Sequence, residues 1–518
     1  MNVIRTDCLV IGAGLAGCAY ALHAAKAGLD VQLLSMGGPL DANSDYAQGG
    51  IIYNISPDPE LLAKDIFEAS DHTANPVAIR HLVENGPAAV RDLLINELGI
   101  PFDHQSDGGL EFTREGGHSE RRIIHAKDTT GHAILSGVAA RVDSTPHITR
   151  RQGWVAVDLL TLSHNTEDPA ARYAPLTCFG AYVLNTQSGE VGAIIAKKTI
   201  LATGGLGHIF QHSTNQPGSI GHGVAMAYRV GARVIDLEYV QFHPTVFLKK
   251  GAPRFLITEA LRGEGAVLVD SRGQPFMDKV HPRASLAPRD IVSRAIHQEL
   301  AINGDPCAYL DLSSLKREFI LDRFPNIYER CLENGIDITR EPIPVVPAAH
   351  YSCGGVHTDM NGRTNVRNLN AIGETACTGL HGANRLASTS LLECLTGARF
   401  TAANDIAEIA RERFWLPEPR AWESPVREAD PTLVRQDMVL LQQTMWNYAG
   451  IIRSPRRLAR ARRILLELRE DISAFYRDCR PTRDLIELRN AVQTALLVVH
   501  AASLNPVSKG CHYVVAEG

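Results

Sequence analysis

Short apolar runs alternate with glycine-rich turns at the start of the chain. Cys8 to Ile11 is an apolar run that predicts a strand, and the glycine turn Gly12 to Gly17 follows it directly. A helix of small residues is predicted from Ala16 to Ala27, ended by Gly28, and Val31 to Leu34 predicts a second strand. Strand, glycine turn, helix and strand within about 30 residues are typical of a βαβ unit that binds a dinucleotide.

Two later apolar runs resemble the first strand, because each ends in small or acidic residues. Thr199 to Gly205 and Asn370 to Glu374 are predicted to join the same sheet, although they lie far apart in the sequence. The fold class that follows is α/β, with a discontinuous Rossmann-like domain of residues 1–236 and 352–416. Residues 237–351 are predicted to form an inserted α+β capping domain, in which Glu341 to Pro344 is expected to be a proline-rich turn.

The pattern changes after residue 416, where a polar linker with several prolines leads into long helical periods. Apolar residues recur at helical spacing in two segments: Leu458, Ile464, Leu465, Leu468 and Ile472, then Leu485, Leu488, Val492, Leu496 and Val499. Arginine and glutamate occupy the opposite faces, which favours solvated helix surfaces over a binding role. Residues 417–518 are therefore predicted to form a C-terminal helical domain.

Composition excludes several classes of function. A chain of 518 residues is too long for one ordinary core, and a net charge of −5 gives no basic surface for nucleic acid. The ten cysteines form no C-x-x-C pair, so neither a disulfide framework nor a metal site is expected. The first residues lack the pattern of a signal peptide, and no apolar run reaches membrane-spanning length. We expect a cytoplasmic enzyme without a membrane partner.

Two clusters about 140 residues apart carry the candidate chemistry. Gln241 to Thr245 and Gly382 to Ser388 each place a cationic or proton-carrying side chain among small, turn-forming residues, as an anion site requires. By itself, a His-Pro-Thr sequence is more often a turn than a ligand. The second strand ends in Ser35 and Met36 rather than in the acidic residue that binds a nicotinamide dinucleotide, which leaves room for a flavin.

Further motifs occur in a fixed order along nearly the whole chain. They are Tyr46 to Ile51, Thr113 to His118, Gln241 to Thr245, Thr258 to Gly265, Leu286 to Asp290, His350 to Gly355 and Ser388 to Glu393. With these motifs the chain resembles the flavoprotein family of succinate dehydrogenase and fumarate reductase, and most closely those members that oxidise L-aspartate. The resemblance implies FAD on the discontinuous sheet, a capping domain and a C-terminal helical bundle.

In part of that family a histidine holds the flavin covalently, five positions before the motif's glutamine. This chain has Asn43 there, so the resemblance implies noncovalent FAD. His222 stands where the family usually has an aspartate and Met36 where it often has a lysine, so FAD is expected to bind weakly. The implied cofactor-binding residues are Gly12, Ala13, Gly14, Leu15, Ala16, Gly17, Ser35, Met36, Asn43, Ser44, Tyr46, Ala47, Gln48, Gly49, Gly50, Ala202, Thr203, Gly204, His222, Glu374, Ser390 and Leu391.

The resemblance also implies a site for a four-carbon dicarboxylate. Its substrate-binding residues would be Glu115, Gln241, His243, Thr258, His350 and Arg385, and its catalytic residues Arg289, His243, Glu259 and Arg262. Guanidinium groups suit carboxylates, and Arg385 with His350 would hold one end of the substrate while His243 with Thr258 holds the other. Arg289 would transfer a proton through Glu259 and Arg262, and Glu115 would bind the substrate amine.

The expected reaction is the FAD-dependent oxidation of L-aspartate to iminoaspartate, as the first step of NAD biosynthesis through quinolinate. Oxygen would accept the electrons to give hydrogen peroxide, or fumarate would accept them to give succinate, and a hand-off to quinolinate synthase is implied. A soluble fumarate reductase or succinate dehydrogenase-like flavoprotein is the alternative. A catalytically silent flavin-binding subunit would be expected to have lost its substrate-binding and catalytic residues. In this chain His243, Arg289, His350 and Arg385 are all present.

Overall fold

Strands and helices are distributed over the whole chain in the computed structural model, which describes residues 1–55, 58–252 and 254–516. The strands are β1 (Val3–Ile11), β2 (Val31–Ser35), β3 (Ile51–Ile52), β4 (Phe112–Thr113), β5 (Ile123–Ile124), β6 (Ile148–Gln152), β7 (Trp154–Thr161), β8 (Cys178–Asn185), β9 (Glu190–Leu201), β10 (Val234–Ile235), β11 (Val240–Phe247), β12 (Val267–Val269), β13 (Ala308–Asp311), β14 (Ile343–Ser352), β15 (Gly355–His357), β16 (Leu369–Ala371) and β17 (Ala376–Cys377). The helices are α1 (Leu15–Lys26), α2 (Pro59–Ala69), α3 (Pro76–Ala89), α4 (Thr130–Ser144), α5 (Leu162–Asn165), α6 (His222–Arg229), α7 (Glu259–Gly263), α8 (Arg289–Asn303), α9 (Arg317–Arg323), α10 (Pro325–Glu333), α11 (Ser390–Arg411), α12 (Pro431–Ala449), α13 (Pro455–Asp478) and α14 (Arg483–Leu504).

The largest sheet contains seven strands and brings together the three apolar runs that the sequence singles out. Its order is β6-β2-β1-β9-β8-β7, and β16 also pairs with β9. Strand β1 is parallel to both β2 and β9, and β16 is parallel to β9. The predicted return of the segments near residues 200 and 371 to the first sheet is confirmed, and so is the predicted α/β fold class.

Helices cover both faces of this sheet because β1 is apolar on both sides. Leu9 and Ile11 point into a core shared with the C-terminal helices, whereas Cys8 and Val10 pack on the opposite side against α1, α3 and α11. Side chains alternate between the faces of a strand, so a strand buried on both sides is continuously apolar. This arrangement leaves the carboxyl ends of the parallel strands as the edge open to a ligand.

The inserted segment folds around its own antiparallel sheet, of order β11-β14-β13-β12. The prediction of a turn at Glu341 to Pro344 is wrong in part, because Ile343 and Pro344 are the first two residues of β14 and pair with β13. A proline is tolerated at the start of a strand, where no ladder bond needs its missing N–H. Gln241 to Thr245 is likewise strand rather than turn: it lies in β11, whose pairing with β14 shifts register after His243.

Three long helices, α12 to α14, form the C-terminal part and pack on one another and on the large sheet. The predicted periods agree with the buried positions, which in α13 include Leu458, Leu465, Leu468 and Ile472. A side-chain oxygen caps the start of each helix by accepting a backbone N–H, and it belongs to Asp430, Ser454 and Thr482 in turn. In the described part of the chain, no helix is both long and apolar enough to span a bilayer.

Candidate active site

The glycine turn after β1 lies at the bottom of a cavity of about 330 Å³. Gly12 has φ +112°, and a Cβ there would collide with the carbonyl oxygen of Ala202 at the end of β9. A Cβ on Gly17 would collide with the carbonyl oxygen of Gly12, so this glycine permits close packing of α1. The turn therefore leads the chain into α1 with its N-terminus directed at the cavity, an arrangement suited to a pyrophosphate.

Most of the predicted cofactor-binding residues lie around this first cavity. They are Gly12, Ala13, Gly14, Leu15, Ala16, Ser35, Met36, Asn43, Ser44, Ala202, Thr203, Gly204, His222 and Glu374. Gly17 does not line it and acts through packing instead. Trp154 to Ala156 of β7, Gln216 to Ser219 and Arg483 of α14 also line the cavity, although no motif in the sequence predicts them. They reach it only through long-range strand and helix packing.

Unsatisfied polar atoms around this cavity fit a dinucleotide. His222 is 4% exposed, and its Nδ1 accepts a hydrogen bond from the Asn490 amide at 2.9 Å. Burial lowers the pKa of His222 to about 3, so the ring is neutral and carries its hydrogen on Nε2. Among the residues that the structure describes, none is a hydrogen-bond partner of that Nε2, which can donate to a ligand acceptor.

Asn43 has an amide where a covalent flavin link would need an imidazole. Its Oδ1 accepts hydrogen bonds from the Gln216 backbone at 2.8 Å and from the Ser219 hydroxyl at 3.1 Å. The residue therefore fixes the loop that closes one side of the cavity. Glu374 lies nearby, where its Oε1 accepts from the Ser352 backbone at 2.9 Å, and burial raises its pKa to about 7.

A second cavity of about 560 Å³ adjoins the first and shares Asn43, Ser44 and Glu374 with it. The structure brings these further predicted residues together around it: Tyr46, Ala47, Gln48, Gly49, Gly50, Glu115, His243, Thr258, Glu259, Arg289, His350, Arg385, Ser390 and Leu391. Gln241 and Arg262 do not line it. The two cavities together accommodate a long cofactor that extends from the glycine turn to a site rich in cations.

Arg289 begins α8, where its Nε lies 2.7 Å from Oε2 of Glu259. Burial opposes ionisation of this arginine, but Glu259 and Glu115 raise its pKa above the ordinary value, so it stays charged. Burial likewise opposes ionisation of Glu259, and Arg289 and Arg262 nevertheless hold its pKa below normal. Arg262 lies behind this pair, with Nη2 3.8 Å from Glu259 and Nη1 donating to the Ser285 carbonyl at 2.7 Å.

Two histidines that line the second cavity, His243 and His350, contact each other edge to face, with ring centroids 5.4 Å apart. Burial, with nearby arginines, lowers the pKa of both His243 and His350 well below the ordinary value, so both are neutral. The Nδ1 of His243 accepts the Thr245 backbone N–H at 3.3 Å, which places the ring hydrogen on Nε2. That buried Nε2 has no hydrogen-bond partner in the described part of the chain and can donate to a carboxylate.

Arg385 is held on three sides. Its Nη1 donates to the Ser390 hydroxyl at 3.0 Å, its Nη2 donates to Oε1 of Gln241 at 3.3 Å, and its Cζ lies 4.2 Å from the Tyr351 ring centre. Gln241 thus acts behind the arginine rather than in the cavity. The Tyr351 hydroxyl in turn donates to Glu393 at 2.8 Å. A guanidinium held in this way is preorganised to bind a carboxylate.

Glu115 also lines this cavity, and among the described residues its carboxyl makes no hydrogen bond to an arginine. Its Oε2 accepts from the Ser388 hydroxyl at 2.6 Å, and its Oε1 lies against Gly49, where any Cβ would collide with it. Burial raises the pKa of this carboxyl, and Arg289 and Ser388 oppose that shift. Glu115 therefore adds an acidic group to the cavity that Arg289, Arg385, His243 and His350 also line.

Known proteins with the same fold indicate which class this chain belongs to. Residues 7–391 match the model of the FAD binding domain family. A mutant E. coli quinol fumarate reductase has a TM-score of 0.86 and 28% identity, covering 100% of this chain and 92% of that one. Mycobacterium smegmatis Sdh1 has a TM-score of 0.84 and 27% identity, covering 99% and 89%. The chain is thus an FAD-binding flavoprotein of the class that contains these reductases.

Curated relatives define the group more narrowly. L-aspartate oxidase 1 of Ralstonia nicotianae is 45% identical over 98% of this chain and 94% of its own length. L-aspartate oxidase of Pseudomonas aeruginosa is 44% identical over 98% and 95%. The chain belongs to the L-aspartate oxidase family, and FAD is its cofactor.

Proposed function

We propose that the chain oxidises L-aspartate to iminoaspartate with FAD, and that oxygen or fumarate reoxidises the flavin. The observation that carries the proposal is that the carboxyl group of Glu115 lines the same cavity as Arg289, Arg385, His243 and His350. A dicarboxylate alone would be repelled by Glu115, whereas a diacid that carries an ammonium group is attracted. The names of the relatives support the same substrate.

Bound FAD supplies the hydride acceptor, and the chain supplies binding, orientation and charge. Arg385 and the His350 ring bind one carboxylate of the substrate, while the His243 Nε2–H and the Thr258 hydroxyl bind the other. The substrate's α-carbon is thereby held in place, so the binding energy offsets the entropy loss that would otherwise add to the barrier of hydride transfer. Glu115 fixes the amine and so selects which carbon loses its hydride.

When fumarate is the electron acceptor and is reduced to succinate, Arg289 is the proton donor to the fumarate carbon. Its ion pair with Glu259 keeps the guanidinium protonated between turnovers, since the paired carboxylate favours the charged form. Arg262 supports this pair from behind by holding Glu259 ionised. The proton therefore leaves Arg289 only when a strongly basic carbon forms beside it.

The product is an imine that hydrolyses in water, so we propose that it passes to quinolinate synthase as the first step of NAD biosynthesis. The ten cysteines are all free thiols, which supports a cytoplasmic location. The proposed division into residues 1–236 with 352–416, residues 237–351 and residues 417–518 is supported by the separate hydrophobic cluster around the inserted sheet.

The test is anaerobic mixing of the FAD-loaded protein with L-aspartate and, separately, with succinate, while the flavin absorbance near its visible maximum is followed. Aspartate is expected to bleach the flavin, and admission of oxygen is expected to restore the colour and release hydrogen peroxide. Bleaching by succinate but not by aspartate would instead identify a fumarate reductase or succinate dehydrogenase-like enzyme.

Replacing Glu115 with glutamine is expected to impair aspartate oxidation at least tenfold more than fumarate reduction. The substitution keeps the shape of the side chain and removes the charge that binds the ammonium group, which fumarate lacks. Steady-state rates with aspartate and oxygen, and with fumarate and a reduced dye, measure the two losses. Equal losses in both assays would exclude amine recognition as the role of Glu115.

A further inference from the structure

Glu115 is fixed by a residue that lies 273 positions further along the chain. The Ser388 hydroxyl donates to its Oε2 at 2.6 Å, while Gly49 leaves room for its Oε1. Both Glu115 and Ser388 line the second cavity. A short hydrogen bond to an ionised carboxylate is among the stronger interactions in proteins, and it fixes geometry as well as charge.

Ser388 adopts an unfavourable backbone conformation at this point. Its φ is +58°, in the left-handed region that serine rarely enters, and its carbonyl accepts a hydrogen bond from the Ile52 backbone at 3.3 Å. Helix α11 begins two residues later, at Ser390. Glycine would adopt this φ without strain, but it has no hydroxyl. Strain kept beside a ligand cavity indicates that the side chain is needed there.

No other side chain of the described residues is seen to hydrogen-bond Glu115. Its other electrostatic neighbours are Arg289, Glu259 and Arg385, and Arg289 is committed to Glu259 through its Nε. Without the Ser388 hydroxyl, the buried carboxyl would be free to rotate and would hold its proton more strongly. Either change weakens the attraction for an ammonium group and leaves the carboxylate-binding cations untouched.

We propose that Ser388 is a positioning residue for substrate specificity: through its hydrogen bond it orients Glu115 towards the substrate amine and so favours an amino diacid over an unsubstituted one. The inference rests on the proposed function. It gives Ser388, three residues after Arg385, a part in recognising the substrate amine, whereas Arg385 itself binds a carboxylate. Two variants separate the hydroxyl from the strain, since Ser388→Ala removes the hydroxyl and Ser388→Gly removes both.

The experiment is one steady-state assay of aspartate oxidation by the FAD-loaded enzyme, with succinate as competitive inhibitor. In both variants the KM for aspartate is expected to rise about tenfold, as for loss of a hydrogen bond to a charged group, while the inhibition constant of succinate changes less than threefold. The acidic limb of the kcat/KM profile for aspartate is expected to move to higher pH, because Glu115 holds its proton more strongly. Thermal unfolding is expected to show Ser388→Gly to be at least as stable as Ser388→Ala.

Parallel changes in the aspartate KM and the succinate inhibition constant would overturn the proposal, as would an unchanged KM in both variants. If the wild-type protein itself fails to oxidise aspartate, the proposed function fails. If the wild-type protein oxidises aspartate and the variants keep its ratio of the aspartate KM to the succinate inhibition constant, only the role of Ser388 fails.

Discussion

Arg289→Gln is expected to slow fumarate reduction about a thousandfold, the middle of the range typical for loss of a positioned proton donor. Glutamine keeps much of the side-chain volume but cannot donate a proton to carbon and removes a cation from the cavity. The Nε of Arg289 is also the partner of Glu259 at 2.7 Å, so the substitution leaves that carboxylate with only its longer contact to Arg262 at 3.8 Å among the described ion pairs. The rate with fumarate and a reduced dye, compared at saturating fumarate, measures the effect.

Two controls separate proton transfer from charge balance. The double variant Arg289→Gln with Glu259→Gln also removes the carboxylate that has lost its 2.7 Å partner, and we expect it to remain nearly as slow as the single variant. Arg294→Gln changes another arginine of α8, paired with Asp290 at 2.8 Å outside the cavity, and is expected to keep a near wild-type rate. Recovery of the rate in the double variant would show that Arg289 serves only to balance charge.

The fold could be predicted where local patterns determine it. The glycine turn, α1 and the parallel strands follow from apolar runs and glycine spacing, because backbone geometry at Gly12 admits no side chain. The proline-containing segments were harder, because a proline is compatible with both a turn and a strand end. In β14 the deciding factor is the pairing of Pro344 with Tyr309, which no local signal indicates. The domain boundaries stay predictions.

The candidate site shows the same limit. Motifs indicated His243, Arg289 and Arg385, which the structure brings to one cavity. They did not distinguish lining residues from those behind them, so Gln241 and Arg262 were predicted as direct participants, although they lie outside the lining. The bond between Ser388 and Glu115 was not predicted, since it depends on how α11 packs against the loop after β4 rather than on either sequence segment.

Arg385→Lys is expected to raise the KM for aspartate and the inhibition constant of succinate together, each about a hundredfold. Lysine keeps the charge but cannot reach the Ser390 hydroxyl and Gln241 Oε1 at once, nor stack in the same way on the Tyr351 ring. Loss of a buried guanidinium partner is expected to weaken the binding free energy of a carboxylate by about 2.7 kcal/mol, which is a hundredfold in affinity. Competitive inhibition of aspartate oxidation by succinate measures both constants in one assay.

The flavin spectrum of Arg385→Lys is expected to match that of the wild type, because Arg385 contacts the substrate end of the cavity. Arg399→Lys in the following helix α11, paired with Asp92 at 2.8 Å, is the control and should leave both constants nearly unchanged. A rise of less than fivefold in Arg385→Lys would contradict a carboxylate-binding role. Because Arg385 binds a group that aspartate and succinate share, its loss should affect both equally, whereas loss of Glu115 or Ser388 should weaken the binding of aspartate far more than that of succinate. The two patterns together distinguish the residues that hold the carboxylates from those that recognise the amine.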